Sequence, residues 1–130
     1  MNGYLLDTHT ILWAVRAKKK LSSKALKVLE NPHSLLYVSS ISIWEIHMKH
    51  RIGKLPEADD LVLDFEGSLR RLNAFDLAFT KEHTFEAASV QLPHGDPFDR
   101  ALFAQAKLEG LTLMSADQAF EDAIGVKVLW

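Results

Sequence analysis

Four acidic residues stand where carboxylates could act together: Asp7, Glu45, Asp99 and Asp117. Asp7 follows the short apolar run 3–6, Asp117 follows a second run ending at Met114, and Asp99 lies in the first turn of an Ala- and Leu-rich stretch opened by Asp96-Pro97. Each also has a local structural reading. An Asp before a helical run is a natural N-cap, and negative charge in a first turn is favoured by the helix dipole. Asp96 is assigned to the cap of its helix, which leaves Asp99 for chemistry. Ser115 and Gln118 have the spacing of a capping box, which leaves Asp117 unused. Glu45 sits at the edge of an apolar stripe formed by Ile41, Trp44, Met48 and Ile52. It either pairs with Lys49 one turn on or meets a cation, because a charge held against a buried face is costly unless compensated.

Gathered in one place, the four acids repel one another, and a divalent cation is the natural compensation. Carboxylate and water ligands favour magnesium or manganese over zinc. Such ions activate a water and stabilise the departing oxygen of a phosphodiester. The chain has no cysteine, so thiolate ligands, disulfides and a cysteine nucleophile are excluded. The six histidines, His9, His33, His47, His50, His83 and His94, show no paired spacing that suggests zinc. His9 and His94 lie near the acids in sequence and fit either a phosphate contact or ordinary surface positions. Arg100, beside Asp99, fits a bidentate phosphate contact or a local salt bridge.

The elements that must position these residues alternate. Short apolar runs at 3–6, 35–38, 73–77, 111–114 and 126–129 are separated by helical spacing at 10–17, 22–30, 42–52, 60–72, 81–90 and 97–109. The runs lack polar alternation, which predicts strands buried on both faces. Gly110 is the expected stop of the last helix. Strand-helix alternation predicts α/β architecture with a central parallel sheet of four to five strands and right-handed crossovers. In such sheets ligands gather outside the carboxyl ends of the strands, which is where Asp7 and Asp117 fall. Trp13 and Trp44, at helical spacing with other apolar residues, are expected in the core.

Four stretches then resemble the PIN-domain nucleases, in particular the VapC-type toxins of bacterial toxin-antitoxin systems: LLDTHTILW around Asp7, VSSISIWEI around Glu45, HGDPFDRALFAQA around Asp99 and LTLMSADQAF around Asp117. In order they span nearly the whole chain, so residues 1–130 are expected to form a single domain. The resemblance implies a three-layer α/β/α sandwich, magnesium- or manganese-dependent endoribonuclease activity, a homodimer and inhibition by a small antitoxin. It gives Asp7, Glu45, Asp99 and Asp117 the acidic roles, with Thr8 and Ser115 as neighbouring hydroxyls. Ser115 stands where the family more often has threonine. Asp96 and Arg100 are supporting candidates.

Two other functions remain open from the residues. A phosphatase or phospho-acceptor domain also places an Asp after its first strand, but usually with a second Asp two residues on, where His9 stands here. A non-catalytic module could use the same acids to hold metal or a basic partner. Charge gives little guidance. The net charge is −2, so a broad basic field is missing. Lys18-Lys19-Lys20 reads as a solvated loop or an RNA clamp. No signal-peptide pattern or membrane-length apolar run is visible, which predicts a cytoplasmic location.

Overall fold

Strand β1 (Gly3–Leu6) runs through the middle of a five-stranded sheet of order β3-β2-β1-β4-β5, in a computed structural model that describes residues 3–92, 95–121 and 123–130. The other strands are β2 (Leu35–Ser39), β3 (Ala74–Leu77), β4 (Thr112–Met114) and β5 (Val128–Leu129), and every neighbouring pair is parallel. Leu5 pairs with Tyr37 on one side and with Leu113 on the other.

Successive residues of a strand point to opposite faces, and the packing follows that rule. Leu6, Leu36 and Val38 join Ile11, Leu12, Ile46 and Leu61 in one core cluster, while Leu5 and Leu113 join Leu102, Phe103 and Phe120 in another. The helices responsible are α1 (Thr8–Arg16), α2 (Ser23–Glu30), α3 (Ser40–Arg51), α4 (Asp59–Leu63), α5 (Phe65–Leu72), α6 (Lys81–Ser89) and α7 (Pro97–Glu109). The result is the expected three-layer α/β/α sandwich. No helix of the described residues is long and apolar enough to cross a membrane.

The chain runs from β1 outward through β2 to β3, then returns to place β4 on the other side of β1. The β1–β4 boundary is therefore the switch point of the sheet, where a crevice opens beyond the carboxyl ends of the strands. Asp7 N–H donates to the Met114 carbonyl at 3.1 Å across that boundary.

Several element boundaries differ from the expectation. Helix α1 starts at Thr8 instead of residue 10, because the Asp7 carboxylate caps it through the Thr10 N–H. The single helix expected over 60–72 is two. Asp64 leaves the helical region (φ −143°, ψ 70°) and its side chain accepts from Gly67 N–H, starting α5 afresh. A Cβ at Gly67 would lie 2.1 Å from Asp64 Oδ2, so this cap needs glycine there. The last strand is shorter than the run 126–129. Gly110 does terminate α7, in the left-handed region at φ 67°.

Candidate active site

All four expected acids line one concave pocket of about 460 Å³, together with Asp96, Thr8, His9, Trp13, Lys49 and Ala116. A larger cleft of about 570 Å³ is lined by Gly3, Gly110, Gly125 and Lys127 among others, with no carboxylate. Chemistry therefore points to the smaller pocket.

Each acid is placed by local structure. Asp7 ends β1 and caps α1, its Oδ1 accepting from Thr10 N–H at 2.9 Å. Asp96 caps α7 through the N–H groups of Phe98 and Asp99, at 2.9 and 3.1 Å. Asp99 follows in the first turn of that helix. Asp117 follows β4 and caps a short 3-10 turn through Ala119 N–H at 2.9 Å. The capping box expected from Ser115 and Gln118 is thus replaced by Asp117 itself, and Ser115 Oγ instead accepts from Asp117 N–H at 3.0 Å.

Glu45 is 5% exposed and turned inward from α3. Thr8 donates its hydroxyl to Glu45 Oε1 at 2.5 Å, and Lys49 donates to Oε2. Glu45 is therefore paired with Lys49, but buried at the pocket instead of exposed. Of the stripe that framed it, Ile41 packs against the core but Trp44 and Ile52 do not. Trp44 is 60% exposed and Ile52 57%, while the buried positions of α3 are Ser42, Glu45 and Ile46. The inner face joins the core through Ile46 and Ile43 and the pocket wall through Glu45, while Trp44 and Ile52 lie on the outer side of α3.

The electrostatics report crowding. Burial pushes the Asp99 carboxyl up, and the charges of Asp96, Asp117, Glu45 and Asp7 raise it further, to about 7. Burial also raises Asp7, partly offset by hydrogen bonds from Ser115 and Thr10. Burial pulls the Lys49 ammonium down, but the hydrogen bond and charge of Glu45, with the charges of Asp96 and Asp99, outweigh it and hold it above its ordinary value.

The donor set suits a hard divalent cation: it is dominated by carboxylate oxygen, with His9 the one imidazole among the lining residues and a net negative excess that Lys49 alone does not cancel. Among the described residues, no three acidic or histidine side chains stand close enough together, as placed, to hold a metal ion between them. Capping bonds hold Asp7, Asp96 and Asp117, and Lys49 and Thr8 hold Glu45.

Arg100 is not at the pocket. Its guanidinium donates to the carbonyls of Ala87, Ala88 and Val90 at 3.2, 3.4 and 2.9 Å, closing the end of α6. The alternation of helix faces explains this, since consecutive residues of α7 point about 100° apart. Lys49 and Asp96 belong to the pocket wall more fully than sequence reasoning had them. The i, i+4 spacing of Glu45 and Lys49 was the available signal. His9 lines the pocket, and His94 falls outside the described residues. Trp13 divides its surface, lining the pocket while packing against Trp130 at 5.6 Å between ring centroids.

The architecture is thus an α/β/α sandwich with an acidic crevice at its switch point. The PIN domain profile matches residues 4–125, and the chain belongs to the PIN domain family, a family of nucleases. Solved structures share the fold across almost their whole length. VapBC2 from Rickettsia felis, bound to a DNA fragment from its promoter, matches with TM-score 0.72 at 21% identity, over 99% of this chain and 98% of that one. DNA-bound VapBC from Salmonella typhimurium matches with TM-score 0.70 at 22% identity, over 99% and 98%. Mycobacterium tuberculosis VapC20, described as a sarcin-ricin loop cleaving toxin, matches with TM-score 0.57 at 14% identity, over 96% and 99%. At these identities the likeness is one of fold. Comparison with curated protein sequences gives no significant match.

Proposed function

We propose that this chain is a metal-dependent endoribonuclease, acting in the cytoplasm as the toxin of a toxin-antitoxin pair. The observation that carries the reading is the convergence of Asp7, Glu45, Asp96, Asp99 and Asp117 on one pocket, crowded enough to push Asp99 to about 7. Membership of a nuclease family and the fold shared with VapBC toxins support it. The RNA-cleaving description of VapC20 favours RNA as substrate.

In this reading Asp7, Asp99 and Asp117, with Glu45, hold magnesium or manganese, and the ion supplies the charge that neutralises a phosphodiester and lowers the pKa of an attacking water. The protein's own part is preorganisation. Thr8 fixes the rotamer of Glu45, Ser115 and the Thr10 N–H fix Asp7, and the Ala119 N–H fixes Asp117. Asp96 holds the first turn of α7 so that Asp99 faces its acidic neighbours. Lys49 balances Glu45.

A homodimer and a small antitoxin whose cationic side chain approaches the acid pocket complete the proposal. The pocket's negative excess would attract such a group. The experiment is cleavage of a structured RNA by the purified chain. Turnover with magnesium or manganese and its loss in excess EDTA are expected. Undiminished cleavage in EDTA refutes the mechanism, and no cleavage in any metal refutes the ribonuclease reading.

A further inference from the structure

We infer that the Trp44–Phe98 pair beside the acid pocket is a stacking site for an unpaired nucleobase of the RNA strand entering that pocket, an inference that rests on the ribonuclease reading. Trp44 is a large aromatic side chain held mostly in water, at 60% exposure. It is not loose. Its ring meets Phe98 edge-on, with centroids 5.2 Å apart and planes at 70°, a favoured aromatic geometry. The ammonium of Lys49 lies 5.6 Å from the Phe98 centroid and also holds Glu45. One cation thus joins the aromatic pair to the carboxylates. In the chain, Trp44 adjoins Glu45 and Phe98 adjoins Asp99.

Charge supplies the need for such a site. The pocket sets five carboxylates against Lys49, and the chain as a whole carries −2. Phosphate contacts usually dominate nucleic-acid affinity, and here they are opposed until a cation binds. A strand held at this pocket therefore needs contacts that do not depend on charge. Stacking on an aromatic ring is one, and it tolerates any base because every base has a π-face. Bases within a helix have both faces covered by their neighbours, so the site selects an unpaired nucleotide.

The outward face of α3 continues from Trp44 through Met48 to Ile52, which is 57% exposed. A protein covering that face would use all three residues. A base would use Trp44, the member in contact with Phe98 and next to the pocket.

The test uses a single-stranded oligoribonucleotide of about eight residues carrying 2-aminopurine, titrated with magnesium present in the Asp7→Asn background, where cleavage is suppressed. Fluorescence quenching reports stacking. Trp44→Ala should weaken binding on the order of 10-fold or more and abolish the quench, while Trp44→Phe recovers most of both. Ile52→Ala should leave both unchanged. With Asp7 intact, Trp44→Ala should raise KM with kcat within about 3-fold, because the contact is made in ground and transition states alike. Cleavage by the parent with unchanged binding in Trp44→Ala overturns the stacking site alone. A parent that cleaves no RNA removes the ribonuclease reading and the site with it. Equal loss of self-association in Trp44→Ala and Ile52→Ala, with RNA binding intact, assigns the face to a protein and also overturns the inference.

Discussion

Replacing Asp99 by asparagine removes one charge from the crowded pocket, so without metal the variant should be more stable than the parent at alkaline pH. The carboxyl is raised from 3.8 to about 7, and at about 1.36 kcal/mol per unit the full shift corresponds to roughly 4 kcal/mol. Asp99 is only partly buried, so solvent screening reduces this to roughly 1–2 kcal/mol. Loss of its favourable place in the first turn of α7 takes back a few tenths, roughly. The sign follows from linkage. A carboxyl whose folded pKa is raised penalises the folded state only when ionised. Stability linked to it is fully present below about 3.8 and is lost as pH rises toward 7. Urea unfolding in EDTA should therefore show Asp99→Asn about 1 kcal/mol more stable than the parent at pH 8, and near parity at pH 4.5, roughly. Magnesium should reverse the order at pH 8, because tight binding to the native parent raises its apparent stability more. A variant no more stable than the parent at pH 8 in EDTA, with no pH-dependent difference, would refute the crowding of these carboxylates.

Asp7→Asn should keep the fold and lose the chemistry. Asparagine caps a helix about as well as aspartate, so the melting temperature without metal should hold or rise, while cleavage falls at least roughly 100-fold; near-parental cleavage by the folded variant would return Asp7 to a capping role alone. Arg100→Ala should do the opposite. Loss of its bonds to Ala87, Ala88 and Val90 should lower stability by roughly 1–2 kcal/mol, with kcat unchanged at a temperature where the variant is folded; a large fall in kcat with unaltered melting would place the guanidinium on substrate.

The parallel sheet and its flanking helices were legible because β1, β2 and β4 are continuous apolar runs whose alternate residues feed two cores, Leu5 on one side and Leu6 on the other. Such runs need no long-range information to read. The break at Asp64 was not legible, since it depends on a side chain preferring Gly67 N–H over continuation of the helix. Helix α3 misled for a related reason. Spacing identifies a helix but does not say which face meets the core, and here the buried face is a mixed one with Ser42 and Glu45 beside Ile46. Arg100 failed because adjacency in sequence to Asp99 is not adjacency in space on a helix. Asp7 and Asp117 share one edge because both follow strands of a parallel sheet, whereas Asp99 and Glu45 reach the same pocket from the first turn of α7 and from within α3.

Capping and site-building at this edge are one geometry, not two competing roles. A residue between a parallel strand and its following helix sits over the switch-point crevice, and its side chain must turn back to meet the helix N–H groups. Asp7 before α1 and Asp117 before its 3-10 turn do this directly after β1 and β4, and Asp96, which follows α6 and a loop, caps α7 by the same bonds, so the bonds that start those segments also aim their carboxylates toward a common pocket. The helix N-termini add partial positive charge, which eases the crowding by a few tenths to about 1 kcal/mol each. That relief is insufficient, because Asp99 still stands at about 7 with Lys49 present. The residual strain is electrostatic, it is concentrated where a phosphodiester would have to approach, and in the unmutated chain added positive charge is what removes it.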